Sequence, residues 1–262
     1  MRFTSCQAPS ADPFCGAVAR FVGERLGMRT QFVEAMPWQE RERGFDRGDI
    51  EVCWMCGWPY ALRADSPSAG LDLIAAPVMA HPRYLDQPIY FSDIVVHADS
   101  EFASFKDLRG ASWAYNEPMS HSGDMVVRHF LASQKIYDGF FGSAVESGSH
   151  AASIDLILNR SVDGSAIDST VLEAMLRRRP EMKPLLRIID TVGPSPAPPW
   201  VVRSSMPQDL RDALRNAFLA MHESSEGRAI LREAAVLRFE AVSDTYYDPI
   251  RTMAAAGVQA QL

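Results

Sequence analysis

The sequence predicts an α/β protein of two hinged lobes with a ligand cleft between them. Three observations lead there. Strand-like runs alternate with helix-like segments from Arg2 onward, the pattern of βαβ units and a parallel sheet. A long strand candidate, Ile89 to His97, carries the chain out of the first set of units. The run Gly193-Pro194-Ser195-Pro196-Ala197-Pro198-Pro199 is the sharpest compositional break and marks a second crossing. Two crossings imply a discontinuous first lobe, residues 1–93 plus 194–262, and a second lobe of residues 94–193. A cleft between two α/β lobes is a common seat for a small ligand.

The elements follow in order. Arg2 to Cys6 is a short strand. Asp12 and Pro13 read as N-cap and first residue of a helix through Phe14, Val18, Phe21, Val22 and Leu26, ended by Gly27. Thr30 to Glu34 alternates as a strand, and Gln39 to Arg47 is a polar helix closed by Gly48. Ile50 to Met55 is almost continuously apolar, as a strand buried on both faces would be. Further strands are expected at Leu71–Val78, Ile89–His97, Ser112–Tyr115, Gly142–Glu146, Gly164–Asp168, Leu185–Thr191 and Trp200–Arg203. Helices are expected at Ser104–Gly110, from Met125 through Leu131, at Ala151–Leu158, Thr170–Arg178, Pro207–Met221 and Glu223–Ala235.

Composition narrows the function. The 262 residues are 47% hydrophobic and 23% charged, which places the chain among globular proteins. Lys plus Arg is 26 and Asp plus Glu 33, a net charge of −7. That balance excludes a general nucleic-acid binder, which needs a basic surface to release counterions. It leaves room for a small anion, which feels a local site rather than the net charge. The longest mostly apolar run, Leu71 to Ala80, is half of the ~20 residues that span a bilayer. The start, Met1 to Cys6, lacks the apolar core of a signal peptide. The expected location is therefore periplasmic if a leader has been removed, and cytoplasmic otherwise. Cys53 and Cys56 form a C-x-x-C inside an apolar run. With no second pair at ligand spacing, the cysteines read as buried thiols, with a disulfide or metal chemistry as the alternatives.

Several loops carry candidate chemistry. Glu117-Pro118-Met119-Ser120-His121-Ser122-Gly123 precedes a helix. Helix starts leave amide N–H groups unpaired and favour negative charge. Ser120, His121 and Ser122 add side-chain donors there, and Gly123 permits close approach. Together they are a candidate oxyanion seat, set against simple capping by one serine. Ser147-Gly148-Ser149-His150 is a second such start, with Ser149 and His150 as donors. In Asp163-Gly164-Ser165-Ala166-Ile167-Asp168-Ser169, Asp168 ends a strand, where open α/β sheets meet their ligands, or simply caps the next helix. Tyr90 and Ser92 face one side of the long strand. Tyr60 follows Gly57-Trp58-Pro59 after a buried strand. Core packing is the alternative for both tyrosines.

Five of these features, taken in order, resemble the PhnD-like family, the phosphonate/phosphate/phosphite substrate-binding proteins of ABC transporters. They are Tyr90-Phe91-Ser92, Phe105-Lys106-Asp107-Leu108-Arg109-Gly110, the Glu117–Gly123 loop, Ser147–His150 and Val162–Ser169. The resemblance covers most of the chain and implies a type II periplasmic-binding-protein fold. It implies that Ser120, His121 and Ser122 hold the oxyanion. The family's cleft tyrosine, histidine and acidic residue fall on Tyr90, His150 and Asp168. It also implies a small oxyanion ligand and an ABC transporter permease as partner, with the chain itself expected monomeric, without cofactor or metal. The family loop usually reads Asp-Pro-Ser-Ser-Thr-Ser-Gly. Here Glu117 replaces the aspartate, Met119 a serine and His121 the threonine. The bulkier ring is expected to alter ligand size or make binding pH-dependent. The apolar run Cys53 to Trp58 is expected to face an organic group on the ligand.

Two other classes fit the same pattern. One is a periplasmic-binding-protein-fold enzyme of cofactor metabolism, using His121, His150 or Cys56. No nucleophile motif supports it. The other is a cytoplasmic ligand sensor, which would need a separate output partner.

Overall fold

The first strand, β1 (Arg2–Ser5), buries Phe3, Thr4 and Ser5. It pairs in parallel with β2 (Gln31–Phe32) and with β3 (Val52–Trp54). The computed structural model describes residues 1–34, 36–66, 70–118 and 120–262. Helix α1 (Asp12–Leu26) follows β1 and α2 (Trp38–Arg47) follows β2, ending at Gly27 and Gly48 as expected. Asp12 is not the N-cap, which is Ala11. Its carboxylate instead takes a two-pronged bond from Arg41 of α2, at 2.8 and 2.7 Å, with both side chains about nine-tenths buried. Burial leaves that charge no water, so the guanidinium fork outcompetes a local cap.

After β3 come α3 (Gly57–Ala64) and β4 (Leu71–Met79). The helix α3 is not among the expected elements. Proline within the first turn costs nothing there, since that N–H has no helical partner.

Strand β5 (Ile89–His97) then opens a second sheet with β6 (Ser112–Tyr115), β7 (Ser143–Glu146), β8 (Gly164–Asp168) and β9 (Leu186–Pro196). Its helices are α4 (Val126–Ser133), α5 (His150–Leu158) and α6 (Ser169–Arg178). The expected helix at 104–110 is one short 3₁₀ stretch, Phe105–Leu108. The chain closes with β10 (Trp200–Arg203), α7 (Gln208–Leu219), α8 (Ser225–Glu233), β11 (Val236–Glu240) and α9 (Asp248–Gly257). β11 and α9 were not expected.

Two compact units result: Met1–Ile89 with Pro196–Asp248, and Tyr90–Ser195 with Pro249–Leu262. The first holds a six-stranded sheet, β11-β4-β10-β3-β1-β2. It is mixed rather than parallel. Only β2-β1-β3 run parallel, while β10 opposes β3 and β4, and β11 opposes β4. β10 enters from the second crossing rather than over a helix, so nothing holds it to the parallel direction. Its core is aromatic. Trp54 and Trp200 stack at 5.7 Å, and Trp200 meets Phe218 of α7 at 5.2 Å.

The second unit holds the order β7-β6-β8-β5-β9. β6 is parallel to β7 and β8, whereas β5 is antiparallel to β8. Both faces are covered, and side chains alternate between them. Ile94, Val96, Trp113 and Ala166 pack with Val126 and Leu131 on one face. Val95, Ala114 and Ile167 pack with Ile154, Ile157 and Leu172 on the other.

The chain's end corrects the expected division, which put all of 194–262 in the first lobe. Residues 249–262 belong to the second unit. Ala260 is fully buried in the Trp113 cluster, and its carbonyl accepts from Arg128 at 2.9 Å. Gln261 N donates to the Tyr137 carbonyl at 2.7 Å. Tyr90 to Asp93 belong there as well. Among the described residues no helix is long and apolar enough to cross a membrane.

The buried Asp12–Arg41 pair yields a prediction. Asp12→Ala leaves a buried guanidinium uncompensated and should remove about 3–5 kcal/mol from the urea unfolding free energy. A loss below ~1 kcal/mol would mean that the pair behaves like a surface ion pair.

Candidate oxyanion site

Within the second unit, three neighbouring parallel strands each deliver a helix start at their carboxyl ends. β6 leads through Asn116 into a helical run from His121, β7 leads through Ser147 into α5, and β8 leads directly into α6. Carboxyl edges of α/β sheets are where ligands meet such starts.

The run from Ser120 is the most specialised of the three. His121–Met125 form a π-helical turn that continues into α4, with Val126 N bonded back to the His121 carbonyl. Ser120 caps it, its Oγ accepting from Gly123 N at 3.2 Å. Asp124 N and Met125 N both point to the Ser120 carbonyl. The amides of His121 and Ser122 have no acceptor among the described residues. π turns recur at functional sites because they re-aim side chains locally.

The side chains of that turn are buried. Ser120, His121 and Ser122 are 6%, 0% and 4% exposed. Ser122 Oγ and His150 Nε2, on different helices, are 2.9 Å apart. His121 Nε2 and Ser195 Oγ are also 2.9 Å apart, and His121 Nδ1 is buried with no hydrogen-bond partner among the described residues. The Tyr90 ring meets the His121 ring edge-on at 6.3 Å. Gly123 leaves room here for two neighbouring side chains. A Cβ on it would lie 1.8 Å from Asn116 Oδ1 and 3.2 Å from His150 Cε1.

Both imidazoles are held neutral. Burial pushes His121 down to about 4, helped by His129, and pushes His150 down to about 4 against an opposing Ala166 backbone contact. Asp168 moves the other way. Burial raises it to about 6, against hydrogen bonds from Thr170 and Val171, and Asp93 raises it further. Asp168 Oδ1 accepts from Thr170 N at 2.8 Å and Thr170 Oγ1 at 2.7 Å, so the carboxylate caps α6. Ser149 likewise caps α5, accepting from Ala152 N at 3.1 Å.

The structure therefore brings together Ser120, His121, Ser122 and His150 around one helix start, with Tyr90 against His121. Asp168 sits opposite Ser92 in the β5–β8 register, and the Ser92 hydroxyl is buried without a partner. Tyr60 belongs to the first unit, where its hydroxyl donates to Asp244 at 2.7 Å and its ring packs on Tyr247 at 4.7 Å. The run Cys53–Trp58 was expected to face a ligand. Its Trp54 stacks on Trp200 and donates to the Pro198 carbonyl at 2.8 Å. Met119 lies outside the described residues. Ser195 and Asn116 were missed. Ser195 is hidden in a proline-rich segment that reads only as a break, and Asn116 follows a strand as any loop residue might.

Among the described residues the arrangement offers hydroxyls, neutral imidazoles and two unbonded amides, without a Lys or Arg bonded to them. Such a set binds an oxyanion by hydrogen bonds and helix field rather than by ion pairing. An α/β unit of this kind, one of two in the chain, defines the class of type II periplasmic binding proteins.

The family model described as "ABC transporter, phosphonate, periplasmic substrate-binding protein" matches residues 11–247. The chain belongs to that family. It is 26% identical over 236 residues to the phosphonates-binding periplasmic protein of Escherichia coli K12, covering 88% of this chain and 68% of that protein. A binding protein component of an ABC phosphonate transporter from Pseudomonas aeruginosa matches with a TM-score of 0.85 at 19% identity, covering 98% of this chain and 86% of that one. A Prochlorococcus marinus protein in complex with methylphosphonate matches at 0.83 and 18%, covering 97% of each chain.

Two outcomes check this geometry. Gly123→Ala should cost about 1–3 kcal/mol through overpacking, and adding Asn116→Ala should recover part of it. No recovery would place the strain elsewhere. For the histidines, the folded values lie below the unfolded value of 6.5. Their contribution is therefore full above 6.5 and lost as pH falls toward about 4. Urea melts of His121→Gln/His150→Gln should lose less stability over that window than wild type. Equal slopes would show that the imidazoles titrate normally.

Proposed function

We propose that this chain is the substrate-binding component of an ABC-type transporter and takes a phosphorus oxyanion at the start of the α4 run. The observation that carries the reading is the pair of unbonded amides, His121 and Ser122, at a buried helix start. Ser120, Ser122 and His150 supply neutral donors around them. Tetrahedral oxyanions present several acceptor oxygens, which several converging donors match. Phosphonate is the first candidate, since the Escherichia coli relative is a phosphonates-binding protein and the Prochlorococcus marinus one holds methylphosphonate. Phosphate, phosphite and phosphate esters share the same oxygens.

Asp168 tunes the choice. Near its raised value of about 6 it changes from hydrogen-bond donor to acceptor. Protonated, it tolerates a plain dianion. Ionised, it favours a ligand bearing a P–OH or an ammonium. The protein acts as a monomer in the periplasm, hands its ligand to a membrane permease, and releases it chemically unchanged.

Thermal melting against phosphate, phosphite, methylphosphonate, aminoethylphosphonate, phosphate esters, sulfonates and nitrate tests the reading. A ligand at 100 times its Kd should add about 2.7 kcal/mol, a shift of several degrees. Ser120→Ala with His150→Ala should abolish the shift and keep the circular dichroism of the folded chain. No shift with any phosphorus oxyanion, or an unchanged shift in the double variant, would overturn the assignment. The ester recovered intact by phosphorus NMR would separate binding from turnover.

A further inference from the structure

Cys6 directly follows β1, and Cys53 lies in the parallel neighbour β3. Thr4 is in register with Cys53 and Ser5 with Trp54, and Cys6 N donates to the Trp54 carbonyl at 2.9 Å. Cys6 therefore stands two residues beyond the partner of Cys53, and the two side chains reach across diagonally to bring their Sγ atoms 3.6 Å apart, neither in a disulfide. Cys53 is fixed within β3, whereas Cys6 stands just past the end of β1, where its backbone can adjust. We propose that Cys6 and Cys53 form a disulfide-forming pair that closes when the protein meets a disulfide oxidant.

The C-x-x-C spacing points to Cys56 as the partner of Cys53, whereas the 3.6 Å approach is made by Cys6. Closing 3.6 Å to a bond of ~2 Å takes side-chain rotation and a small shift of the Cys6 backbone, because diagonal neighbours on adjacent strands lie ~7–8 Å apart and a disulfide needs its Cα atoms within ~7 Å. Access assigns the order of events. Cys6 is half-buried while Cys53 is fully buried. The Cys6 thiolate attacks one sulfur of the oxidant and expels a thiolate. Cys53, deprotonated in turn, attacks the Cys6 sulfur of the mixed disulfide and expels the second. Two protein thiols and one oxidant disulfide become one protein disulfide and two oxidant thiols. Two electrons and two protons leave the protein. The contact with Cys53 and burial push the Cys6 thiol up, so the exchange accelerates with rising pH.

Disulfides persist in the periplasm, the compartment in the family's description. The link would join residues 47 apart and tie the carboxyl ends of two core strands just before the loop Gln7–Ser10. It is independent of which ligand the second unit takes.

The full chain, purified under reductant, is incubated with oxidised glutathione at mildly alkaline pH. Denatured thiol titration should fall from four groups to two, and peptide mapping should show Cys6 joined to Cys53. Cys6→Ser should abolish that link, and reduction should lower the melting temperature of wild type but not of this variant. Four persistent thiols would overturn the proposal. So would Cys53 joined to Cys56, or glutathione retained on Cys6 without closure. The wild-type map decides the matter even where a variant fails to fold.

Discussion

Gly123 and Asn116 touch so closely that a single added methyl would sit 1.8 Å from the amide oxygen. The missing side chain leaves room for the start of the α4 run to lie close to the carboxyl end of β6, where His150 Nε2 of α5 is 2.9 Å from Ser122 Oγ. A side chain at 123 would have to displace the Asn116 amide and press on the His150 ring, 3.2 Å from the Cβ position. Close packing at this point thus keeps the Asn116, Ser122 and His150 side chains near one another.

Electrostatics follow from the same closeness. Burial that brings the donors together strips them of water, and a buried charge without a partner is expensive. The imidazoles respond by staying neutral, at about 4, and Asp168 responds by holding its proton up to about 6. The imidazoles therefore add no charge to the seat at neutral pH, and Asp168 adds a negative one only above about 6. What attracts an anion is the field of helix ends and the direction of N–H and O–H bonds. A ligand that brings charge does not have to displace a resident counterion, which suits a protein whose task is to bind and then let go.

The first unit is organised differently. Its polar groups are mostly spent on the fold: Arg41 on Asp12, Tyr60 on Asp244, Tyr247 on the Ala197 carbonyl. Its sheet is stabilised by the Trp54–Trp200 stack and the aromatic chain through Phe218 and Phe239. The thiols of Cys6 and Cys53 lie in that same interior, brought together by strand register rather than by the spacing of a motif.

Much of the architecture was legible in the residues. Strand–helix alternation announced an α/β chain, Gly27 and Gly48 ended the helices where they stand, and Ser120, Ser149 and Asp168 occupy the caps their types favour. These are local properties, set by backbone torsion and by neighbours within four residues. The antiparallel course of β10, the return of residues 249–262 to the second unit, the use of Asp12 as a partner for Arg41 and the pairings of His121 with Ser195 and Cys6 with Cys53 were not. Each joins residues tens of positions apart. No local periodicity encodes such a meeting, because it is decided by which surfaces are left to bury once the strands have found their order. Local residue patterns set the elements, their caps and the chemical character of the donors. Which donors share one buried space is settled by packing, since burial and close approach exist only in the folded chain.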